Sequence, residues 1–148
     1  MSNQAQNPNN KKEEDEKNDK EENEEKKDNN ESKDSKNYDL EEKTAKFGED
    51  IIEFCKSLPK NEINNPLIRQ LIRAGTSIGS NYMEADACDS KKDFKYKIGL
   101  CKKESKELMH WLRMISKANQ DRKEECRNFW QEAHEFVLIF SSIINKAK

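Results

Sequence analysis

An antiparallel, up-down-up-down four-helix bundle behind a disordered tail is the all-α fold this sequence predicts, and three observations predict it. Four segments between Tyr38 and Lys148 carry apolar residues at alternating spacings of three and four, the period of one helix face. The connections between them are short, which makes successive helices antiparallel neighbours. The third observation is the stretch Arg69–Cys88, RQLIRAGTSIGSNYMEADAC, which places Gly75, Thr76, Ser77, Gly79 and Ser80 inside a helix. A glycine there costs about 0.5–1 kcal/mol relative to alanine. Two of them four residues apart imply another backbone lying close against that face.

Composition divides the chain before any helix is drawn. Residues 1–37 hold only Met1 and Ala5 from the apolar set. Eight lysines stand there against twelve Asp and Glu residues, a net charge of −4, so 38–148 carry +2 within a chain total of −2. A segment that cannot bury apolar surface cannot offset its ordering entropy. Residues 1–37 are therefore expected to be a disordered, charged, low-complexity tail, and 38–148 the bundle, large enough for one core. No apolar run is long enough to cross a bilayer and the N-terminus has no apolar leader, so a soluble, cytoplasmic protein without a membrane partner is expected. Cys55, Cys88, Cys101 and Cys126 form no C-x-x-C pair and read as buried reduced thiols.

The first helix presents Leu40, Thr44, Phe47, Ile51, Phe54 and Leu58, widened by Ile52 and Cys55, and Pro59 ends it. Asn65 is the expected cap of the second, with Pro66 in its first position. One face of that helix runs Leu67, Leu71, Ala74, Ile78, Tyr82 and Ala85; a neighbouring face runs Ile68, Ile72, Gly75 and Gly79. Asn81 and Glu84 lie beside the small-residue face, where polar groups can fix register between helices or subunits.

Ser90 opens the third helix as its cap, with Asp93 three residues on. Its seam is the cleanest in the chain: Phe94, Ile98, Cys101, Ser105, Leu108, Leu112 and Ile115. Lys117 suits the end of the helix dipole and Asn119 its C-cap. Asp121 with Glu124 is expected to start the fourth helix, whose core face runs Phe129, Ala133, Phe136, Phe140, Ile143 and Ala147. A second stripe of Trp130, Val137 and Ile144, joined by Leu138 and Ile139, is more than a monomeric bundle needs, and a subunit interface is its expected use.

Between the second and third helices the residues also resemble a family. RAGTSIGSNYMEADA, then DFKYKI, then KKESKELMHWLRM are similar to the bacterial four-helix-bundle proteins encoded in intervening sequences of 23S ribosomal RNA genes. The matching positions are Gly75–Asn81, Glu84 and Ala85, Asp93 and Phe94, Lys103 and Glu104, Glu107, and Trp111 with Leu112; Ser80 and Ser105 stand where alanine is common. The likeness covers about residues 45–146 and excludes the tail. It implies a homo-oligomer, a ring of five, and a distant similarity to the accessory protein of diversity-generating retroelements. That relative looks like a ring whose basic surface engages nucleic acid and a reverse transcriptase.

Chemistry is sparse. No phosphate-cradling glycine loop occurs, and neither histidine stands at a recognisable spacing from a nucleophile. No catalytic residue, cofactor or metal is therefore predicted. Glu107 and His110 have the E-x-x-H spacing of di-iron bundles, but His134 sits in no second copy, so they read as surface residues.

The feature that stands out is a basic stripe on the third helix. Lys92, Lys95, Lys102, Lys106, Arg113 and Lys117, interleaved with Gly99 and His110, recur every three or four residues about 100° around from the seam. Arg69 and Arg73, and Arg122, Lys123 and Arg127, are candidates to extend it. Clustered cations displace counterions from a phosphate backbone, Gly99 lets a backbone approach, and Tyr96 is a candidate for base stacking. The bland reading is a solvated face in a lysine-rich protein, with Glu104 and Glu107 nearby. With the resemblance, the sequence predicts a non-enzymatic, self-associating bundle acting as an RNA- or nucleic-acid-associated accessory or scaffold. The alternative is an oligomeric protein–protein interaction scaffold that binds a protein partner and no nucleic acid.

Overall fold

The computed structural model describes residues 39–147, so the expected tail at 1–37 lies outside the described residues. Helix α1 occupies 39–57, α2 Asn64–Asp86, α3 Lys91–Ala118 and α4 Lys123–Lys146, with a 3₁₀ turn at Gln120–Arg122 before α4. Among the described residues there is no strand. Side-chain pairs fix the directions. Phe47 meets Phe136 and Phe54 meets Phe129, both with ring centroids 5.3 Å apart, so α4 descends as α1 rises. Lys97 pairs with Glu84 while Arg73 pairs with Glu104, which runs α2 against α3. The result is the antiparallel up-down-up-down bundle.

The seams predicted from spacing form the core. Ile51, Leu71, Ile78, Ile98, Leu108, Ile115 and Phe140 are completely buried, and each side chain of this size contributes about 1.5–3 kcal/mol by leaving water. Two buried hydroxyls inside the bundle are satisfied within their own helices. Thr44 donates to the Glu41 carbonyl at 3.0 Å and Ser105 to the Cys101 carbonyl at 2.8 Å. Three of the four thiols, Cys55, Cys101 and Cys126, are buried and Cys88 is half-buried; all four are free. Burial pushes the Cys101 thiol up to about 12, so it remains protonated at neutral pH.

The small residues of α2 lie where α1 approaches. A Cβ on Gly75 would stand 3.0 Å from Ile51 Cγ2 and 3.2 Å from Leu108 Cδ1; one on Gly79 would stand 3.3 Å from Thr44 Oγ1. Gly48 on α1 answers them, since its Cβ would lie 3.3 Å from the Gly75 carbonyl oxygen.

Two helix starts differ from expectation. Asn65 lies inside α2 and does not cap it; ahead of the helix the side-chain oxygen of Asn61 accepts from the backbone N–H groups of Ile63 (3.1 Å) and Asn64 (2.8 Å). Asn64, the first residue of α2, is buried. Its amide donates to Asn119 Oδ1 at 2.8 Å, and Asn119 donates back to Asn64 Oδ1 at 2.9 Å. This pair ties the start of α2 to the end of α3, a partner 55 residues away that helix signals do not reveal. At α4 the chain passes through the 3₁₀ turn and no side chain caps the helix, so Asp121 does not serve as its cap. Ser90 does cap α3, accepting from Asp93 N–H at 3.1 Å.

Candidate nucleic-acid interface

Two sets of cations bear on the candidate face. One set holds helices together. Arg73 on α2 donates to Glu104 (3.0 Å) and Glu107 (2.5 Å) on α3, and Lys97 on α3 pairs with Glu84 on α2 at 2.5 Å. The Glu107 carboxylate raises the Arg73 pKa, and hydrogen bonding to Glu84 raises that of Lys97. Arg122 grips Glu125 with two nitrogens, donates to Ser57 Oγ at 2.7 Å, and lies 5.1 Å from the centre of the Phe54 ring. Arg73 and Arg122, named as candidates to extend the basic stripe, thus act as fasteners of α2 to α3 and α4 to α1.

The second set is the α3 stripe. Among the described residues, none of Lys92, Lys95, Lys102, Lys106, Arg113 and Lys117 makes an ion pair. Lys92, Lys106, Arg113 and Lys117 are exposed, while Lys95 and Lys102 are half-buried, the state of a long side chain that lays its stem on the helix and keeps its charge in water. From Lys92 to Lys117 the rise is about 38 Å, close to that of roughly eleven base pairs of duplex. A Cβ on Gly99, midway along, would meet nothing within 4 Å, and Tyr96 beside it is 65% exposed.

At the C-terminal end of α3 the stripe turns onto α4. Arg113, Lys123 and Arg127 share a groove of about 420 Å³ with Leu112, Ser116, Cys126, Trp130 and Gln131. Spacing puts Arg113 in the α3 row and offers Lys123 and Arg127 as candidates to extend it; the crossing of α3 and α4 is what gathers the three beside Trp130.

The remaining candidates fall elsewhere. The Glu107 carboxylate is engaged by Arg73, and the exposed His110 ring meets Trp111 edge-on at 5.0 Å. Among the described residues no group of three or more His, Cys, Asp and Glu side chains is arranged to hold a metal. Asn81 donates to the Ser77 carbonyl of its own helix at 2.9 Å, so the polar link between α2 and α3 here is Glu84 with Lys97. On α4, Val137 is 8% exposed within this chain and Ile144 packs half-buried on the core, whereas Trp130 (40%) and Leu138 (57%) face outward. No helix among the described residues is long and apolar enough to cross a membrane.

Comparison with known proteins agrees with this architecture. The model of a family described as 23S rRNA-intervening sequence protein matches residues 36–142. A crystal structure of a Bacteroides thetaiotaomicron protein of unknown function, from the S23 ribosomal protein family, superposes with a TM-score of 0.68 at 27% identity. The match covers 74% of this chain and 98% of that one. No curated protein matches the chain.

Proposed function

This chain belongs to the 23S rRNA-intervening sequence protein family, and we propose from that membership and its charge layout that it is a non-enzymatic, self-associating bundle whose α3 face binds RNA. Its role is that of an accessory or scaffold. One observation carries the reading: Arg73, Lys97 and Arg122 are held by carboxylates, while among the described residues Lys92, Lys95, Lys102, Lys106, Arg113 and Lys117 meet no ion-pair partner along one helix face. Free cations in a row release counterions when they meet a phosphate backbone, which makes binding favourable and steeply salt-dependent. Self-association, with a ring of five as the expected form, would repeat the face and multiply a weak site.

A protein-scaffold reading draws on Leu138 and Ile139, which are 57% and 37% exposed on α4 and suit a contact with another chain. It does not account for the unpaired cations.

The test is binding of a labelled structured RNA at low and moderate salt by the full chain and by a Lys95→Gln, Lys102→Gln, Lys106→Gln variant. Binding should weaken steeply with salt, and the variant should lose roughly two to three units of the log–log salt slope. Equal binding by both chains takes the RNA site off the α3 stripe; none by either removes RNA from the account and leaves the protein scaffold.

A further inference from the structure

The geometry points to a more specific site on that face: we propose that the α3–α4 groove takes one unpaired nucleobase with its flanking phosphates, the base stacked on Trp130 and the phosphates held by Arg113, Lys123 and Arg127. The proposal rests on the RNA reading above and narrows it to single-stranded segments. The groove lining contains three cations and no carboxylate. By contrast, the groove between α1 and α4 is lined by Glu42, Asp50, Glu132 and Glu135 beside Lys43 and Lys46. Two grooves flanking the same helix therefore carry opposite characters, and only one suits an anion.

The indole is prepared for stacking. Trp130 is 40% exposed, and its ring lies 16° from parallel to the His134 ring with centroids 5.5 Å apart. A ring already stacked on a neighbour loses less freedom when a base arrives. Buried Leu112 and Cys126 contribute apolar wall, and burial pushes the Cys126 thiol up to about 11, so the wall stays uncharged at neutral pH. The volume of about 420 Å³ falls within the range of small-molecule sites.

An apolar protein partner fits poorly. It would have to desolvate Arg113, Lys123 and Arg127 without a carboxylate in the groove to meet them, and such burial is costly. A duplex fits the cations but hides its base faces in the stack, leaving the indole unused.

The experiment uses the full chain, a labelled single-stranded RNA of about ten nucleotides and a blunt RNA duplex of the same length. Trp130→Ala should lower single-strand affinity about 5- to 150-fold, leave the salt slope unchanged, and leave duplex binding as it was. Arg127→Gln should instead lower the slope by about 0.7. Trp130→Leu keeps apolar bulk and removes the aromatic face, so it should reproduce the alanine effect even if the alanine chain is less stable. The proposal is overturned if Trp130→Leu binds single strands as well as the native chain, or if it weakens single strand and duplex alike. A changed native mass in Trp130→Leu also overturns it, by assigning the residue to a contact between copies. Duplex binding that survives any of these results leaves the α3 reading standing; absence of binding to both probes removes the two together.

Discussion

Gly48, Gly75 and Gly79 decide how closely α1 and α2 approach, and they are not equivalent. At Gly75 an added carbon meets Ile51 at 3.0 Å and Leu108 at 3.2 Å, two side chains that are themselves completely buried and have no room to retreat. Gly79 is half-buried, and its nearest neighbours are Thr44 atoms at 3.3–3.5 Å. Gly75→Leu should therefore destabilise by at least roughly 1–3 kcal/mol, a fall in melting temperature on the order of 5–20 °C. Gly79→Leu should also destabilise, but by less. Thermal denaturation of the two variants decides this, and an unchanged Gly75→Leu would show that α1 does not lie where Ile51 places it. Two glycines four residues apart, Gly75 and Gly79, announced a close approach in the sequence. Which glycine is enclosed could not be read there, because that depends on the partner side chain opposite each one.

At the scale of the element, α3 serves two faces at once. Its seam from Phe94 to Ile115 was legible because helical periodicity directly records which side is buried. The flank beside it carries the cations, with Gly99 among them, and here a glycine sits mid-helix where nothing in the bundle requires it. Gly99→Ala should raise stability by about 0.5–1 kcal/mol, since the methyl group enters open space and the unfolded chain loses freedom. If the notch admits a backbone, the same change should weaken RNA binding. A chain that is both more stable and a poorer binder supports that use; a more stable chain with native affinity shows the notch is idle. Helix starts were less legible than helix bodies. Asn65 and Pro66 look like a start signal, yet α2 begins at Asn64, with Asn61 accepting from its N–H and its side chain paired with Asn119.

At the scale of the whole molecule, charge is segregated around α4 in a way that net charge conceals. On the α1–α4 side, desolvation together with the Asp50 and Glu135 carboxylates raises the Glu132 pKa above its ordinary value, against the opposing pull of Lys46. A raised carboxyl pKa means the folded state holds the proton more tightly than the unfolded state. Ionising Glu132 therefore costs stability once pH exceeds the ordinary value of 4.5, and costs none well below it. Glu132→Gln should melt higher than the native chain at neutral pH, with the difference vanishing below about pH 4. A pH-independent difference would assign the effect to packing in place of charge.

The sequence by itself determined the four helices, their antiparallel order, the residues of the core and the row of cations on α3, because each of these is written in spacing along one chain segment. Only the tertiary structure decided which cations are paired among the described residues. Arg69, Arg73, Arg122, Lys123 and Arg127 look alike as letters. Arg73 and Arg122 meet carboxylates across a helix crossing, while Lys123 and Arg127 meet Arg113 and Trp130 in a groove with none. Whether a charge is spent inside the fold or offered outside it depends on what stands opposite, and that neighbour is set by packing between segments far apart in the chain.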